Sequence, residues 1–347
     1  MKKNFNEIEI IRPDDWHSHL RESALLQCVI KSTTRVLKRC IAMPNLTTPI
    51  TTSILCEKYK KQIKDILNDN SFDPLVPCYL IDNMDLKDFE FSLQNDYFIG
   101  AKLYPVNSTT NSELGVTNIE NIYGSLDLLN KYNKPLLIHG EKINDRIDIF
   151  DREKYFVDDE LQSIRNKFQD LKIVFEHISS KYGADFVADN KNIGGTITPQ
   201  HMLITKKDVF LDDEINPHNY CMPVAKDEKD LMALRKYACS GNKKFFLGTD
   251  SAPHPESNKI ETKNIKPGIF SAPCSIELYA EIFDQENSIE NLESFSSING
   301  PNFYNLPVNT KKIKIIKEKW RLEEYTLHDD IRIKNFYGGE ELNWKVI

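Results

Sequence analysis

The sequence is poor in several features, and each shortage narrows what the chain does. Its seven cysteines form no CxxC pair, and their number is odd. Cys28, Cys40, Cys56, Cys78, Cys221, Cys239 and Cys274 therefore read as reduced packing residues of a cytoplasmic protein. No apolar stretch approaches the roughly 20 residues of a membrane span. Residues 1–9 are polar and lack the apolar core of a secretory leader. Positive charge is not in excess: the formal net charge is -7. That excludes general affinity for nucleic acid and leaves local cations to attract any anionic substrate. Glycine and proline gather into no linker, and no short repeat occurs. No glycine-rich phosphate turn follows an early strand, as an open doubly wound sheet would require.

The 347 residues suffice for a large core, and one α/β barrel accounts for them as well as two smaller domains would. Short apolar runs at 8–16, 40–43, 75–81, 97–103, 135–139, 172–177, 193–198 and 244–249 read as buried strands. Between them, 23–35, 52–68, 84–96, 119–132, 158–170, 183–189 and 229–240 read as helices. Eight such strands alternating with helices predict a (β/α)8 TIM barrel, an α/β fold, over residues 1–307. Segments 275–283 and 292–298 read as further helices, with Asn299-Gly300-Pro301 as a break. Residues 308–347 are rich in Lys, Glu and Tyr and only weakly periodic. They are expected to form a C-terminal appendage packed on the barrel, with no chemistry assigned to it.

The chemically informative residues fall where barrel strands end, the face that carries active sites in such folds. His17 and His19 are two apart, so on a strand they share a face and offer half of a metal site. Arg21 follows as a two-pronged carboxylate binder. His139, His177 and Asp250 close the fifth, sixth and eighth runs. One terminal histidine is commonly a hydrogen-bonded core residue; four with an aspartate point to metal. Lys102 stands inside the fourth run, where a charge is costly. Strand alternation puts Phe98, Gly100 and Lys102 on one face, with Gly100 leaving room beneath an inward lysine. Three readings of Lys102 stand: an ammonium that reaches the surface, a Schiff-base amine, or an amine neutralised by burial that captures carbon dioxide as a carbamate. A carbamate bridges two cations, and with His and Asp ligands it suits Zn2+, with Mn2+ or Co2+ as alternatives.

A longer set of motifs carries a family resemblance. It comprises Asp14-Asp15-Trp16-His17-Ser18-His19-Leu20-Arg21, Met43-Pro44-Asn45, Gly100-Ala101-Lys102-Leu103-Tyr104-Pro105, Thr109-Thr110-Asn111 and Ile138-His139-Gly140-Glu141. Phe175-Glu176-His177, Gly195-Thr196-Ile197-Thr198-Pro199-Gln200-His201 and Gly248-Thr249-Asp250-Ser251-Ala252-Pro253-His254 complete it. On these, from residue 12 to about 308, the chain resembles the dihydroorotases of the amidohydrolase superfamily, in their compact bacterial form. The resemblance implies reversible closure of N-carbamoyl-L-aspartate to L-dihydroorotate, in pyrimidine synthesis. It implies two Zn2+ ions: one on His17, His19 and Asp250, the other on His139 and His177, bridged by a carboxylated Lys102 and a hydroxide. Asp250 is then general base and acid. Arg21, Asn45 and His254 clamp the unreactive carboxylate, and Thr109 and Thr110 reach the substrate from a lid at 106–116. His19, His139, Met222 and Gly268 complete the substrate contacts. Met222 replaces a usual leucine, and Lys266-Pro267-Gly268 stands where an alanine-glycine pair is common. A small-molecule substrate and a homodimer are implied too. Asp14, Asp15, Glu141 and Glu176 read either as supports for the ligands or as exposed acids. His201, His218 and His328 read as structural. A hydantoinase or allantoinase would share the metal ligands but lack the Arg21, Asn45 and His254 set. A non-catalytic barrel would have lost ligands, and a glycosidase would need a carboxylate pair.

Overall fold

Eight strand positions ring a common axis, in the computed structural model that describes residues 5–68, 71–212, 214–260 and 264–347. They are Asp14–Ser18, Arg39–Ala42, Asp73–Leu75 continued by Cys78–Tyr79, Ala101–Leu103, Leu136–Ile138, Ile173–Phe175, Ile193–Ile197 and Phe245–Leu247. Pro77 interrupts the third position, because it has no N–H to give a ladder. All neighbours pair in parallel, the first to the second and third, and the third through to the eighth. The ring closes where the first and eighth strands end: Asp250 N–H donates to His17 O at 2.9 Å, and His19 N–H to Ser251 O at 2.9 Å. This is the predicted (β/α)8 barrel.

Helices return the chain between strands, three of them started by a side-chain cap. Thr52 caps Ser53–Leu67, Asp85 caps Leu86–Gln94 and Ser180 caps Lys181–Asp189, each accepting from free first-turn N–H groups. Ser23–Thr34, Tyr123–Lys131, Gln162–Lys167, Glu228–Cys239 and Ser275–Gln285 complete the outer layer. All seven cysteines are free and buried. No helix among the described residues is long and apolar enough to cross a membrane.

Several expectations need correction. The run 8–16 is two strands, not one: Glu7–Ile11 leaves the barrel and pairs antiparallel with Lys312–Arg321. Arg12-Pro13 separates it from Asp14–Ser18, since proline ends the ladder. Lys312–Arg321 also pairs with Glu341–Val346, and Tyr325–His328 with Ile331–Lys334. The C-terminal residues are thus a small sheet holding one strand from each end of the chain, anchored by the fully buried Trp344. Alternation also fails ahead of Ala101. Phe98 packs outward on Phe89, while Ile99 joins the interior. Gly100 does not leave room under Lys102; a Cβ there would stand 2.4 Å from Pro135 O, so it lets adjacent strands approach. Finally, Asn299-Gly300-Pro301 does not break the chain, since helical turns run on from the π-helix Ser294–Ile298 into Asn299–Tyr304. The wider π-turn just before Pro301 accommodates the ring and the missing N–H.

That helix plugs the barrel. Trp16, Ile41, Met43, Leu137, Val174 and Phe246 fill the interior with Tyr304. Trp16 stacks on Tyr304 with ring centroids 4.4 Å apart. Gly300 permits the approach: a Cβ there would lie 1.9 Å from the Trp16 indole nitrogen, inside a rigid, buried ring. Gly300→Ala is expected to lower stability by about 1–3 kcal/mol through overpacking, measured as a lower denaturant midpoint at unchanged slope.

Candidate active site

The barrel seam assembles the site. Asp15 accepts from Thr249 N (2.9 Å), Thr249 Oγ1 (2.6 Å) and His17 N (3.1 Å), tying the first strand's end to the eighth's. His17, His19 and Asp250 therefore converge, their ligand atoms all within 4.8 Å of one another. Asp250 Oδ1 lies 3.2 Å from His19 Nε2 and 3.4 Å from His17 Nε2. The His177 ring sits 4.9 Å from that of His17 and 4.7 Å from that of His139. Lys102, fully buried, contacts Glu176 through Nζ. Glu176 Oε1 lies 2.9 Å from His17 Nδ1, an ion-pair distance without hydrogen-bond alignment. Glu141 Oε2 lies 2.8 Å from His139 Nε2.

Electrostatics fit these residues to cations. Burial, with the Arg21 charge beside it, pushes His19 down to about 3, so its imidazole is neutral, the form that binds a metal. Burial and the neighbouring His139 and His17 hold His177 neutral, and its Nδ1 has no partner among the described residues. Burial opposes ionisation of Asp250, yet hydrogen bonds from His17 and His19 keep it a carboxylate. Burial would neutralise His17, but Glu176 and Asp250 carry it up to about 9. The proton it holds marks a place where the surrounding carboxylates call for positive charge, which a divalent ion supplies without protonating a ligand. Burial lowers the Lys102 amine against the pull of Glu176.

A narrow cavity opens on this cluster. His17, His19, Arg21, Asn45, Thr109, Thr110, His139, His177, Met222, Asp250 and Gly268 all line it. Lys102 lies below, and His254 behind Arg21, with Nε2 3.0 Å from Arg21 Nη2 and 3.0 Å from Pro267 O. Arg21 Nε donates to Pro253 O at 3.1 Å, which aims the guanidinium. Burial and Arg21 keep the His254 imidazole neutral. The segment 106–116 folds over the opening. Asn45 Nδ2 donates to Thr110 O at 2.9 Å and Asn111 Nδ2 to Asn45 O at 3.0 Å. Asn45 Oδ1 and Thr110 Oγ1 are buried with no partner among the described residues.

The four acids beside ligands are all buried, so the exposed reading fails for each. Asp15, Glu141 and Glu176 support the centre, whereas Asp14 serves the fold by pairing with Arg39 and Asn309. His201 bridges Thr198 and the Pro223 carbonyl, a structural role. Sequence reasoning missed Tyr104. Its hydroxyl is buried and has no partner among the described residues, and its ring lies 4.6 Å from Lys102 Nζ on the cavity wall. The signal was present, since Tyr104 comes two residues after Lys102, just past the end of its strand. Arg21, His177 and Asp250 have positive φ (62°, 39° and 46°), as turn residues at the ends of their strands.

Comparison with known proteins agrees with this geometry. The model of the amidohydrolase family matches residues 10–318. A dihydroorotase of Buchnera aphidicola is 41% identical over 350 residues, covering 100% of this chain and 99% of its own. The crystal structure of a Saccharomyces cerevisiae dihydroorotase superposes with a TM-score of 0.91 at 30% identity, covering 99% of both chains. A Campylobacter jejuni dihydroorotase gives 0.87 at 32%, covering 98% of this chain and 97% of its own. A binuclear metal site goes with this kinship, and His17, His19 and Asp250 form a group able to hold one ion. The chain belongs to the amidohydrolase family, and within it to the dihydroorotases.

Proposed function

We infer that this chain catalyses the reversible closure of N-carbamoyl-L-aspartate to L-dihydroorotate with loss of water, as a metal-dependent cyclic amidohydrolase of pyrimidine biosynthesis. One observation carries the reading. A buried guanidinium, Arg21, shares a cavity with the His17, His19 and Asp250 cluster, where an unreactive substrate carboxylate would meet it. A hydantoin offers no such carboxylate and would leave Arg21 buried without an anion.

The finer assignment is two Zn2+ ions: His17, His19 and Asp250 would hold one and His139 and His177 the other, with an N6-carboxylated Lys102 as a ligand that both would share. Its depressed basicity supports this, because only the neutral amine adds to carbon dioxide. Once bound, such an ion pair supplies Lewis acidity and hydroxide at neutral pH. The chain's own residues do the rest. Arg21, Asn45 and His254 hold the carboxylate and fix the ring. In hydrolysis Asp250 takes the proton of the attacking water and returns it to the leaving nitrogen; in closure it assists departure of water. Thr109 and Thr110 close the cavity, exclude solvent and donate to the substrate. The enzyme is a homodimer of the cytoplasm in this reading, checked by sedimentation of the purified protein.

The metal-loaded protein is expected to hydrolyse L-dihydroorotate and to leave hydantoin almost untouched. The reverse preference in parallel assays would defeat the assignment. Lys102→Ala is expected to lose at least about a thousandfold in kcat/KM, as removal of a metal bridge should. Added acetate or propionate should restore part of it by filling the gap with a carboxylate. The double change Thr109→Ala with Thr110→Ala is expected to lower kcat about tenfold or more with metal content unchanged, followed by steady-state kinetics and elemental analysis.

A further inference from the structure

Lys259 takes no part in the chemistry described so far, yet it is 5% exposed beside the site. Its ammonium has three N–H donors and meets three backbone carbonyls: Gly268 O at 2.6 Å, Lys266 O at 3.0 Å and Tyr220 O at 3.2 Å. Every donor is used, and no carboxylate pairs with it among the described residues. A buried lysine solvated only by carbonyls is expensive. Burial pushes Lys259 down to about 7. Such a cost needs a return, and the positions of the acceptors indicate one.

The three carbonyls belong to the two backbone segments that rim the cavity. Tyr220 lies two residues before Met222, and Lys266 and Gly268 flank Pro267; Met222, Pro267 and Gly268 line the opening. Gly268 N–H also donates to Tyr220 O at 2.9 Å, so the segments touch directly, and Lys259 clamps the junction. Gly268 has φ +149°, and a Cβ there would stand 2.5 Å from Ala252 O, so this backbone is held close against the eighth strand's end. The lysine itself is fixed from the C-terminal hairpin of Tyr325–His328 and Ile331–Lys334. Glu256 N–H donates to Arg332 O at 2.8 Å, and Arg332 Nε pairs with Glu256 at 3.0 Å, three residues before Lys259. Lys266 N–H returns to Asn258 O at 3.2 Å.

We propose that Lys259 is a positioning residue for substrate: it sets the spacing of the Met222 and Gly268 backbones that receive the ring, and the C-terminal hairpin holds it through Arg332 and Glu256. The proposal rests on the dihydroorotase reading and gives the C-terminal appendage a part in substrate recognition. Because both backbones hold the ring before and during reaction, loss of the clamp weakens binding and leaves the chemical step alone.

The test uses L-dihydroorotate hydrolysis by the full-length, metal-loaded enzyme. Wild-type protein that does not turn over this substrate defeats the dihydroorotase reading itself, independently of Lys259. With an active wild type, Lys259→Met keeps the aliphatic stem and removes the ammonium. KM is expected to rise about tenfold with kcat within about twofold and metal content unchanged. Arg332→Ala, at a largely exposed side chain, is assayed in parallel and decides the matter if Lys259→Met does not fold. Its KM is expected to rise about threefold at unchanged kcat. Wild-type KM in the folded Lys259→Met variant, or in Arg332→Ala where the first does not fold, overturns the proposal. So does a loss confined to kcat.

Discussion

The closure of the barrel between its first and eighth strands is the constraint on which the site depends. His17 and His19 come from one strand and Asp250 from another, more than 200 residues later. They form one cluster only because the seam is pinned. Asp250 N–H bonds to the His17 carbonyl, His19 N–H to the Ser251 carbonyl, and Asp15 takes both donors of Thr249. Asp15 is 1% exposed, and burial raises it to about 6 in spite of those bonds. A carboxylate in that position costs free energy, and what it secures is the alignment of two strand ends. Closing the seam and assembling the ligands are therefore one structural event.

Charge explains why the residues beneath the cavity take the form they do. Asp250, Glu176 and Glu141 bring three carboxylates into buried positions, against Lys102, Arg21 and the proton that His17 holds. The balance leans on that one proton, and a divalent ion would supply its charge instead.

Much of this was legible in the sequence because His17, His19, His139, His177 and Asp250 lie at the ends of apolar runs. The end of a buried strand is recognisable from composition, and the barrel fold turns all such ends to one face. What could not be read were relationships that residue type does not encode. An acid beside a ligand looks the same whether its carboxylate reaches Thr249, as Asp15 does, or Arg39, as Asp14 does. Arg12-Pro13 hid a strand boundary inside one apolar run, and Pro301 looked like a break because residue type does not mark the π-turn before it that accommodates the ring. Lys259 gave no signal, since all its partners are carbonyls that every residue possesses.

The two ends of the chain are brought together for a reason that the barrel alone does not supply. Glu7–Ile11 and Glu341–Val346 flank the long strand Lys312–Arg321. The short hairpin that follows this strand lies against Glu256 through Arg332. Ile333 packs with Phe270 and Ala272 in the same apolar cluster as Cys28 and Val29 of the first helix. That cluster joins the helix after the first strand, which carries two ligands and Arg21, to the segment after the eighth, which carries Asp250 and Gly268. The appendage therefore braces the seam from outside, where the barrel's own ladder is reduced to a few hydrogen bonds, and rigid support at that point is what a site built across two strands requires.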